Sequence, residues 1–330
     1  MMEIRVLLAG HGEISKTYLN TIKRIENMSI VGVVGRNKDR AKNFAKEYSI
    51  PFYGTNIKSL AHKSNANMII ICTPNEHHYQ GVLDAADCGL HILCEKPMHF
   101  SPDRQNKMIE VCKKSGIKLG VCYRREFMKT YSITKEYIDS GKLGKILFID
   151  TFMKFWRNPE YFTESSWHGK PELEGGGAFM QQGTHYVDIS VWLGSGFKKV
   201  IKSHLFNLHQ PISMEDHGYA IVEYMNGAVG VIEVSSVSKN NPYVSKLEIT
   251  GTNGSIVIIN DKVTYWNVEG YDMPDFTDDM DAFEKQLRDF KEAIEYNREP
   301  LVNGDNGKIA VELVNEIYLQ QSYFYNILGG

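Results

Sequence analysis

The order of apolar and polar residues divides the 330-residue chain into two parts with different patterns. In the first part, short apolar runs alternate with stretches in which apolar residues recur at helical spacing. The pattern predicts strands at residues 4–9, 30–34, 68–71, 91–93 and 118–122. Helices between successive strands are typical of a parallel, doubly wound sheet.

After Gly144, apolar residues recur at every second position, which is typical of strands with one buried face. Such strands are predicted near residues 145–156, 199–208, 217–225, 228–236, 244–250 and 255–260. Asn226-Gly227 and Asn253-Gly254 favour tight hairpins, so this sheet should be mostly antiparallel. A helix over 123–143 would connect the two parts. Further helices, predicted to cover one side of the second sheet, lie at about 178–193, 278–296 and 305–326.

Composition excludes several classes of protein. A net charge of −3 gives no electrostatic reason to expect nucleic acid or an anionic membrane as a partner. No run of about 18 apolar residues predicts a membrane span, and the N-terminus reads as a strand rather than a signal peptide. The five cysteines form no Cys-x-x-Cys pair, which suits free thiols in a reducing compartment. We therefore expect a cytoplasmic protein.

A glycine-rich turn, Gly10-His11-Gly12, joins the first predicted strand to a helix that begins with Glu13 and Ile14. The first glycine permits the turn and the second lets the backbone approach a pyrophosphate, which the free N–H groups of a helix N-terminus then bind. Ser15 occupies the third position of the Gly-x-Gly-x-x-Gly pattern and is still small. The segment predicts a dinucleotide-binding Rossmann domain.

The second strand ends at Gly35-Arg36. The acidic residue that usually binds a ribose 2′-hydroxyl is missing there, and Arg36 stands in its place, as expected for the 2′-phosphate of NADP. The alternative is a solvated arginine that opens the next helix.

Two further strand ends carry polar groups. Thr73-Pro74-Asn75 follows one strand, and His78 lies in the helix after it. Cys94-Glu95-Lys96-Pro97 follows the next buried strand. A lysine so close to a buried strand is costly unless it has a task, and the carboxyl edge of a parallel sheet is where ligands bind. The alternative is a lysine that opens a loop and reaches water.

These segments resemble the Gfo/Idh/MocA family, the glucose–fructose oxidoreductase, inositol dehydrogenase and rhizopine-catabolism proteins. Thr73-Pro74-Asn75 with His78 resembles the family's Thr-Pro-Asn-x-x-His segment, and residues 89–97 resemble its Glu-Lys-Pro segment. Residues 123–127 resemble its domain junction, where Asn-Arg-Arg-Phe is more usual. The resemblance implies that Lys96 lies beside the nicotinamide and the substrate hydroxyl. It also implies a homo-oligomer formed through the open face of the second sheet.

Three glycines, 175–177, precede a helix on which Gln181, His185 and Asp188 stand at i, i+4 and i+7. This spacing places the three side chains on one helix face. The segment resembles the family's Gly-Gly-Gly-x-x-x-Asp-x-Gly-x-His-x-x-Asp pattern, with Gln181 where the family has its first Asp. The resemblance implies a proton-transfer role for His185. The alternative is a core histidine on an amphipathic helix.

Aromatic residues precede these glycines: Trp156 next to Arg157, then Tyr161 and Trp167. Aromatic rings with an arginine would suit a sugar ring, and they equally suit core packing. Trp167-His168 stands where the family often has Trp-Arg. No zinc pattern and no Gly-x-Ser-x-Gly elbow is present, so we expect no metal and no serine hydrolase.

The sequence therefore predicts an α/β protein with an NAD(P)-binding Rossmann domain at 1–122 and a substrate-binding, oligomerising α+β domain at 123–330. By its resemblance it is an NAD(P)-dependent dehydrogenase acting on a sugar, cyclic polyol or related hydroxy compound, with NADP preferred. The alternatives are a cofactor-recycling glycosidase or epimerase, and a non-enzymatic ligand sensor. Lys96 and His185 are the predicted catalytic residues. The predicted substrate-binding residues are Gln181, Asp188, Trp167, Tyr123 and Arg124. The predicted cofactor-binding residues are Gly10, His11, Gly12, Glu13, Ile14, Arg36, Thr73, Pro74, Asn75, His78, Glu95, Lys96 and Pro97.

Overall fold

The computed structural model describes residues 2–239 and 243–321. The strands are β1 (Ile4–Ala9), β2 (Met28–Val34), β3 (Phe52–Gly54), β4 (Met68–Ile71), β5 (His91–Cys94), β6 (Leu119–Val121), β7 (Ile146–Lys154), β8 (Phe197–Phe206), β9 (His217–Tyr224), β10 (Val229–Ser235), β11 (Val244–Gly251), β12 (Gly254–Ile259) and β13 (Lys262–Val268). The helices are α1 (Glu13–Ile22), α2 (Lys38–Glu47), α3 (Ile57–Ser64), α4 (Glu76–Ala86), α5 (Pro102–Lys114), α6 (Lys129–Asp139), α7 (Glu160–Thr163), α8 (Pro171–Glu174), α9 (Thr184–Leu193), α10 (Ala282–Glu295), α11 (Gly304–Gly307) and α12 (Ile309–Leu319).

The first sheet is parallel throughout and has the strand order β3-β2-β1-β4-β5-β6. The predicted doubly wound sheet is confirmed. The order reverses between β1 and β4, and in such sheets the crevice at this point, outside the carboxyl ends of the strands, binds ligands. The apolar pattern did not predict β3 and α3. The missed strand has only three residues, at least two of them exposed at the edge of the sheet, so no apolar run marks it.

Helix α10 belongs to the first compact unit of the chain, which contains residues 1–124 and 280–308. Its side chains Leu287 and Phe290 are fully buried in one cluster with residues of β1, β4 and α1. The Phe290 ring lies only 2.9 Å from where a Cβ on Gly120 of β6 would be. The expectation that a helix near 278–296 covers the second sheet is therefore wrong. The domain division at residues 122 and 123 stays a prediction, because the compact units describe packing alone.

The second compact unit contains residues 125–279 and the chain from 309 onward. Its seven-stranded sheet has the order β13-β12-β11-β7-β10-β9-β8, and only the pair β7–β10 is parallel among the described strands. The mostly antiparallel sheet is confirmed, as are the hairpins at Asn226-Gly227 and Asn253-Gly254. Strand β13 was not predicted. Asn260 and Asp261, both with positive φ, form the hairpin turn before it.

Helices α9 and α12 pack against each other, and α9 also packs on β7 and α12 on β8. The prediction that helices near 178–193 and 305–326 cover this sheet is confirmed for α9 and α12. It is wrong for residues 305–308, which belong to the first unit, where α11 packs on β6 and α5. Residues 322–326 of the second predicted helix lie outside the described residues. On the other face of the sheet, side chains are exposed in the part of the chain that the structure describes: along β9 the buried Ala220 and Val222 alternate with the exposed Tyr219 and Ile221.

Two predicted helices are interrupted. The segment 123–143 contains a 3₁₀-helix at Arg124–Phe127 before α6 begins. The segment 178–193 begins with a π-helical stretch, Phe179–Gly183, before α9. Among the residues described, no helix has the length and apolar character required to cross a bilayer.

Candidate active site

The glycine turn lies at the strand-order reversal of the first sheet. Gly10 has a φ of +111°, and a Cβ there would lie 2.6 Å from the carbonyl oxygen of Cys72, which follows β4. No side chain fits at this position without moving the backbone. Gly12, the N-cap of α1, is exposed, and a Cβ there would meet no heavy atom within 4 Å. The turn thus leaves open space at the N–H groups of Glu13 and Ile14, as a pyrophosphate requires.

His11 lies over the end of β2. A Cβ on the buried Gly35 would come within 2.7 Å of its Nδ1 atom, so only glycine leaves room for the imidazole. Burial, and then the charge of Arg40, lower the pKa of His11, which favours the neutral ring. Arg36 follows directly after Gly35 and is exposed.

The segment after β4 is tied to the segment after β5 by His78. Its Nδ1 atom lies 3.0 Å from the carbonyl oxygen of Pro97, and its Nε2 atom lies 2.7 Å from that of Thr73. Burial lowers the pKa of this ring. His78 is buried, as is Asn75, while Thr73 and Pro74 are half-buried. His78 therefore positions both loops, and any effect that it has on a cofactor is through them.

Glu95 and Lys96 leave β5 at the same edge of the sheet. The Glu95 carboxylate accepts a hydrogen bond from the Tyr18 hydroxyl at 2.8 Å and one from the Lys96 backbone N–H at 3.1 Å. Burial raises the pKa of Glu95, and the charge of Lys96 is the strongest opposing influence. Lys96 is half-buried, and its peptide bond to Pro97 is cis. Lys96 is thus a half-buried cation at the carboxyl edge of the sheet whose charge acts on Glu95.

Tyr123 and Arg124 also belong to the first unit. Tyr123 follows β6 and is fully buried. The Arg124 guanidinium lies 4.8 Å from the centroid of the Phe283 ring, and its charge acts on Glu95. Both residues thus stand near the carboxyl edge of the first sheet.

In the second unit, Gln181 and His185 occupy different kinds of helix. Gln181 lies in the π-helical stretch, is half-buried, and its Nε2 donates to the Glu174 carbonyl oxygen at 3.2 Å. His185 lies in the first turn of α9 and is buried. The wider turn of a π-helix changes the angle between the two side chains from that predicted for a regular helix, and such turns are frequent at functional sites. A sequence pattern based on α-helical spacing gives no sign of it.

Asp188 is buried near two ionisable groups that lie on another segment, Glu126 and Arg125. Burial, and then the charge of Glu126, raise the pKa of Asp188 well above its usual range, and its Oδ2 atom has no hydrogen-bond partner among the described residues. Burial raises the pKa of Glu126 to about 8. Glu126 therefore favours its protonated form near neutral pH, and the pKa of Asp188 is shifted in the same direction. Glu126 lies in the domain-junction segment 123–127, and the sequence did not predict that it would lie near Asp188.

Glu126→Gln is expected to remove a pH dependence of stability. The pKa of Glu126 is about 8 in the folded protein and about 4.5 in the unfolded chain. Between these two pH values the folded state therefore binds more protons than the unfolded state. Stability contributed by this group is therefore present below that range and is lost as the pH rises through it. The variant should exceed the wild type in unfolding free energy by about 1–3 kcal/mol at pH 8, with the difference shrinking toward pH 5.

Urea unfolding at pH 5 and pH 8 would measure both differences. Glu269→Gln, at an exposed position in the same unit, is the matched control and should show no such trend. A constant difference between Glu126→Gln and the wild type at both pH values would contradict the prediction.

A histidine and a buried carboxylate that the predicted site did not include lie near Gln181. The His168 Nδ1 atom is 2.6 Å from Glu174 Oε1, and the Gly169 N–H donates to Glu174 Oε2 at 2.6 Å. The Trp167 ring packs on His168 with centroids 3.7 Å apart. The substrate contact of Trp167 stays a prediction; what its ring contacts here is His168. The pair is formed by the fold of the loop, so the sequence shows it only as a histidine six residues before a glutamate.

The described residues form neither a metal site nor a disulfide. Within residues 2–239 and 243–321, no group of three or more His, Cys, Asp or Glu side chains is placed to hold a metal ion. All five cysteines are free thiols.

A glycine turn at the order reversal of a parallel sheet, opening onto a helix N-terminus, defines a dinucleotide-binding protein of the Rossmann class. The family model described as the oxidoreductase family with an NAD-binding Rossmann fold matches residues 4–123, and the model of the GFO/IDH/MocA C-terminal domain matches residues 131–257. The chain belongs to the Gfo/Idh/MocA family of oxidoreductases. The resemblance read from its motifs is confirmed.

Named relatives extend over nearly the whole chain. The uncharacterized oxidoreductase YrbE of Bacillus subtilis is 27% identical over 91% of this chain and 89% of its own. The scyllo-inositol 2-dehydrogenase (NAD(+)) of the same organism is 26% identical over 94% of this chain and 92% of its own. Among solved structures, the WlbA dehydrogenase from Bordetella pertussis, in complex with NADH and UDP-GlcNAcA, superposes with a TM-score of 0.87. The superposition covers 97% of both chains at 24% identity, and this likeness shows the fold.

Proposed function

We propose that the protein is an NAD(P)-dependent dehydrogenase that oxidises or reduces a sugar, a cyclic polyol or a related hydroxy compound. The observation that carries the proposal is the backbone cradle at Gly10 and Gly12, which excludes a side chain at one glycine and leaves space at the other. Relatives named as sugar and inositol dehydrogenases support the substrate class.

The proposed cofactor residues line the carboxyl ends of β1, β2, β4 and β5. Glu13 and Ile14 would present N–H groups to the pyrophosphate, and Thr73, Pro74, Asn75 and Pro97 would line the nicotinamide side. The bound nicotinamide would supply the hydride acceptor or donor. Lys96 would hold and polarise the substrate oxygen, and His185 would exchange the hydroxyl proton. Gln181, Asp188, Trp167, Tyr123 and Arg124 would orient the substrate or the groups that contact it.

The experiment that tests the dehydrogenase proposal is a panel of sugars and polyols with each cofactor, read by nicotinamide absorbance. Turnover of free sugars with net reduction of the cofactor supports it. Product formation without net reduction would instead indicate a cofactor-recycling glycosidase or epimerase. Cofactor binding without any turnover would favour a ligand sensor. We propose a cytoplasmic location, in keeping with the five free thiols.

We propose a preference for NADP, which Arg36 would create. Arg36→Ala is expected to raise the dissociation constant for NADP about tenfold or more and to change that for NAD little. Only NADP carries the 2′-phosphate, and a charge-assisted hydrogen bond contributes about 1.5–3 kcal/mol. Titration calorimetry with both cofactors measures the difference.

Lys46→Ala, in the last turn of α2, is the control and should leave both affinities near wild type. The assignment is wrong if the wild-type protein binds NAD at least as tightly as NADP.

We propose that the open face of the second sheet binds a second copy of this chain. Ile221 of β9 and Val231 of β10 are directly paired across the strands, and both are exposed. Leu147 of β7 and Val229 of β10 are also exposed. An apolar face of this kind on a sheet is typical of an interaction surface.

Ile221→Glu is expected to shift the protein toward monomer, because a charge would be buried in the interface. Light scattering after size exclusion gives the mass. Tyr296→Glu, at an exposed position in the first unit, is the control. A wild-type protein that elutes as a monomer at micromolar concentration would rule out the proposal.

A further inference from the structure

The second unit contains an open cleft of about 1000 Å³ that the predicted site does not explain. Its walls are the chain after β7, the loop that carries Tyr161 and His168, and Tyr243 before β11. A smaller adjoining pocket shares Arg157 and Tyr161 with it and reaches Gln181. The cleft therefore continues to a residue of the proposed substrate site. Its volume is at the upper end for small-molecule sites, so it has room for more than a single sugar ring.

Two aromatic rings and two backbone hydrogen bonds fix the position of Arg157 in this cleft. Its guanidinium lies 4.4 Å from the Tyr161 ring centroid and 5.2 Å from that of Phe155. Its backbone N–H donates to the Ser236 carbonyl at 2.9 Å, and its own carbonyl accepts from Gln210 Nε2 at 2.7 Å. Among the described residues, no carboxylate lies within ion-pair distance of Arg157. An arginine keeps its proton in proteins, so a permanent cation held by two rings faces the cleft.

The ring beside Arg157 is held in turn by the buried carboxylate. Tyr161 stacks on His168 with ring centroids 4.0 Å apart, and His168 is bound to Glu174, whose side chain is 1% exposed. A continuous series of contacts thus runs from a guanidinium to a buried carboxylate, in the order Arg157, Tyr161, His168, Glu174. A platform supported in this way is preorganised, and little ordering entropy is lost when a ligand binds to it.

A second cation lies on the cleft wall. Lys239 is 4.7 Å from the Trp156 ring centroid, and the Trp156 Nε1 donates to Asn158 Oδ1 at 2.7 Å. Two acids, Glu160 and Glu164, also line the cleft, but both are exposed to solvent. In the part of the chain that the structure describes, neither acid forms an ion pair with Arg157 or Lys239. Solvent screens the acids more strongly than it screens the half-buried guanidinium.

We propose that this cleft binds the anionic group of a sugar-derived substrate, a carboxylate or a phosphate, and that Arg157 is the residue that selects for the charge. The guanidinium matches the two oxygens of either group, and the neighbouring rings offer apolar faces to a sugar. The inference rests on the proposed function and narrows its substrate class to acidic or phosphorylated sugars. Lys239 would add to the attraction at the solvent side.

The test measures binding to the full-length protein by calorimetry, without turnover. Glucose and galactose are compared with their uronates and their 6-phosphates, and inorganic phosphate is titrated alone. The wild-type protein should bind at least one charged form tenfold or more tightly than the matching neutral sugar, and added salt should reduce the difference. Arg157→Gln should abolish this preference and leave the affinity for the neutral sugar within about twofold. Lys198→Gln, which removes an exposed cation in the same unit, is the control and should change neither affinity.

Wild-type protein without preference for any charged form overturns the proposal. So does equal binding of inorganic phosphate and the sugar phosphates together with no uronate binding, which would indicate a simple anion site. If Arg157→Gln fails to fold, Arg157→Lys, which keeps the charge but loses the two-oxygen fork, should fold and retain only part of the preference; a preference equal to that of the wild type would show that the guanidinium does not select for the charge. Because binding is read without cofactor, a protein that prefers charged sugars but never reduces NAD(P) would refute the dehydrogenase proposal and leave this one standing.

Discussion

Lys96→Met is expected to reduce turnover by about 10²–10³-fold while the protein still folds and binds cofactor. The substitution keeps the apolar stem and removes the ammonium group that would stabilise charge developing on the substrate oxygen. Removal of one preorganised donor of this kind typically costs that factor in rate. The expectation depends on the position of Lys96, half-buried at the end of β5, with Glu95 tied to both its backbone and Tyr18.

Two measurements make the Lys96 result specific. Steady-state rates with any substrate found in the sugar panel give the loss in turnover, and calorimetry gives cofactor affinity, which should fall only modestly. Lys107→Met, at an exposed position on α5, should behave as wild type. Near-normal turnover by Lys96→Met would show that the lysine is structural and would weaken the enzyme proposal as a whole.

His185→Ala is expected to lose about 10²–10⁴-fold in turnover, which is the typical contribution of a positioned acid or base. Histidine exchanges protons near neutral pH, and its neutral form is the one that can act as the base in alcohol oxidation. Alcohol oxidation by the wild-type enzyme should therefore rise with pH through one step that the variant lacks.

The pH–rate profiles of the two proteins decide whether His185 is the base. A shared step in both would indicate another group, Lys96 or Tyr186. The structure argues against Tyr186, since its hydroxyl lies 2.6 Å from Ser245 Oγ and 2.9 Å from Asp261 Oδ1, and burial raises its pKa. His185→Gln, with a similar volume and no base, separates the loss of proton transfer from the loss of packing.

The local patterns of apolar residues and of turn residues predicted most of the strands of both sheets. The apolar runs of β1, β4 and β5 and the glycine turn located one edge of the first sheet. Because parallel strands end at a common edge, the order of residues along the chain was enough to place Gly10, Thr73 and Lys96 together. The period-two pattern and the Asn-Gly hairpins identified the second sheet in the same way.

Features set by distant contacts could not be predicted. Helix α10 has an amphipathic pattern that suits any apolar surface, and only packing shows that Phe290 meets Gly120 rather than the second sheet. The Glu126–Asp188 and His168–Glu174 pairs depend on which segments the fold brings together. The π-helical turn at Phe179–Gly183 differs from an α-helix by one residue in its hydrogen bonding, and residue spacing does not reveal it.

The return of residues 280–308 to the first unit has a consequence for synthesis on the ribosome. When residue 124 leaves the exit tunnel, Gly120 and Val121 still lack Phe290 above them and the Gln286 amide that bonds the Val121 carbonyl. The core of the first unit therefore stays incomplete until the strands β7 to β13 have been translated. The second unit stays incomplete until α12, which follows residue 308 directly, has been translated. Neither unit is complete until a late segment has been made, residues 280–308 for the first unit and α12 for the second, so we expect protease resistance to appear only after these segments have left the tunnel.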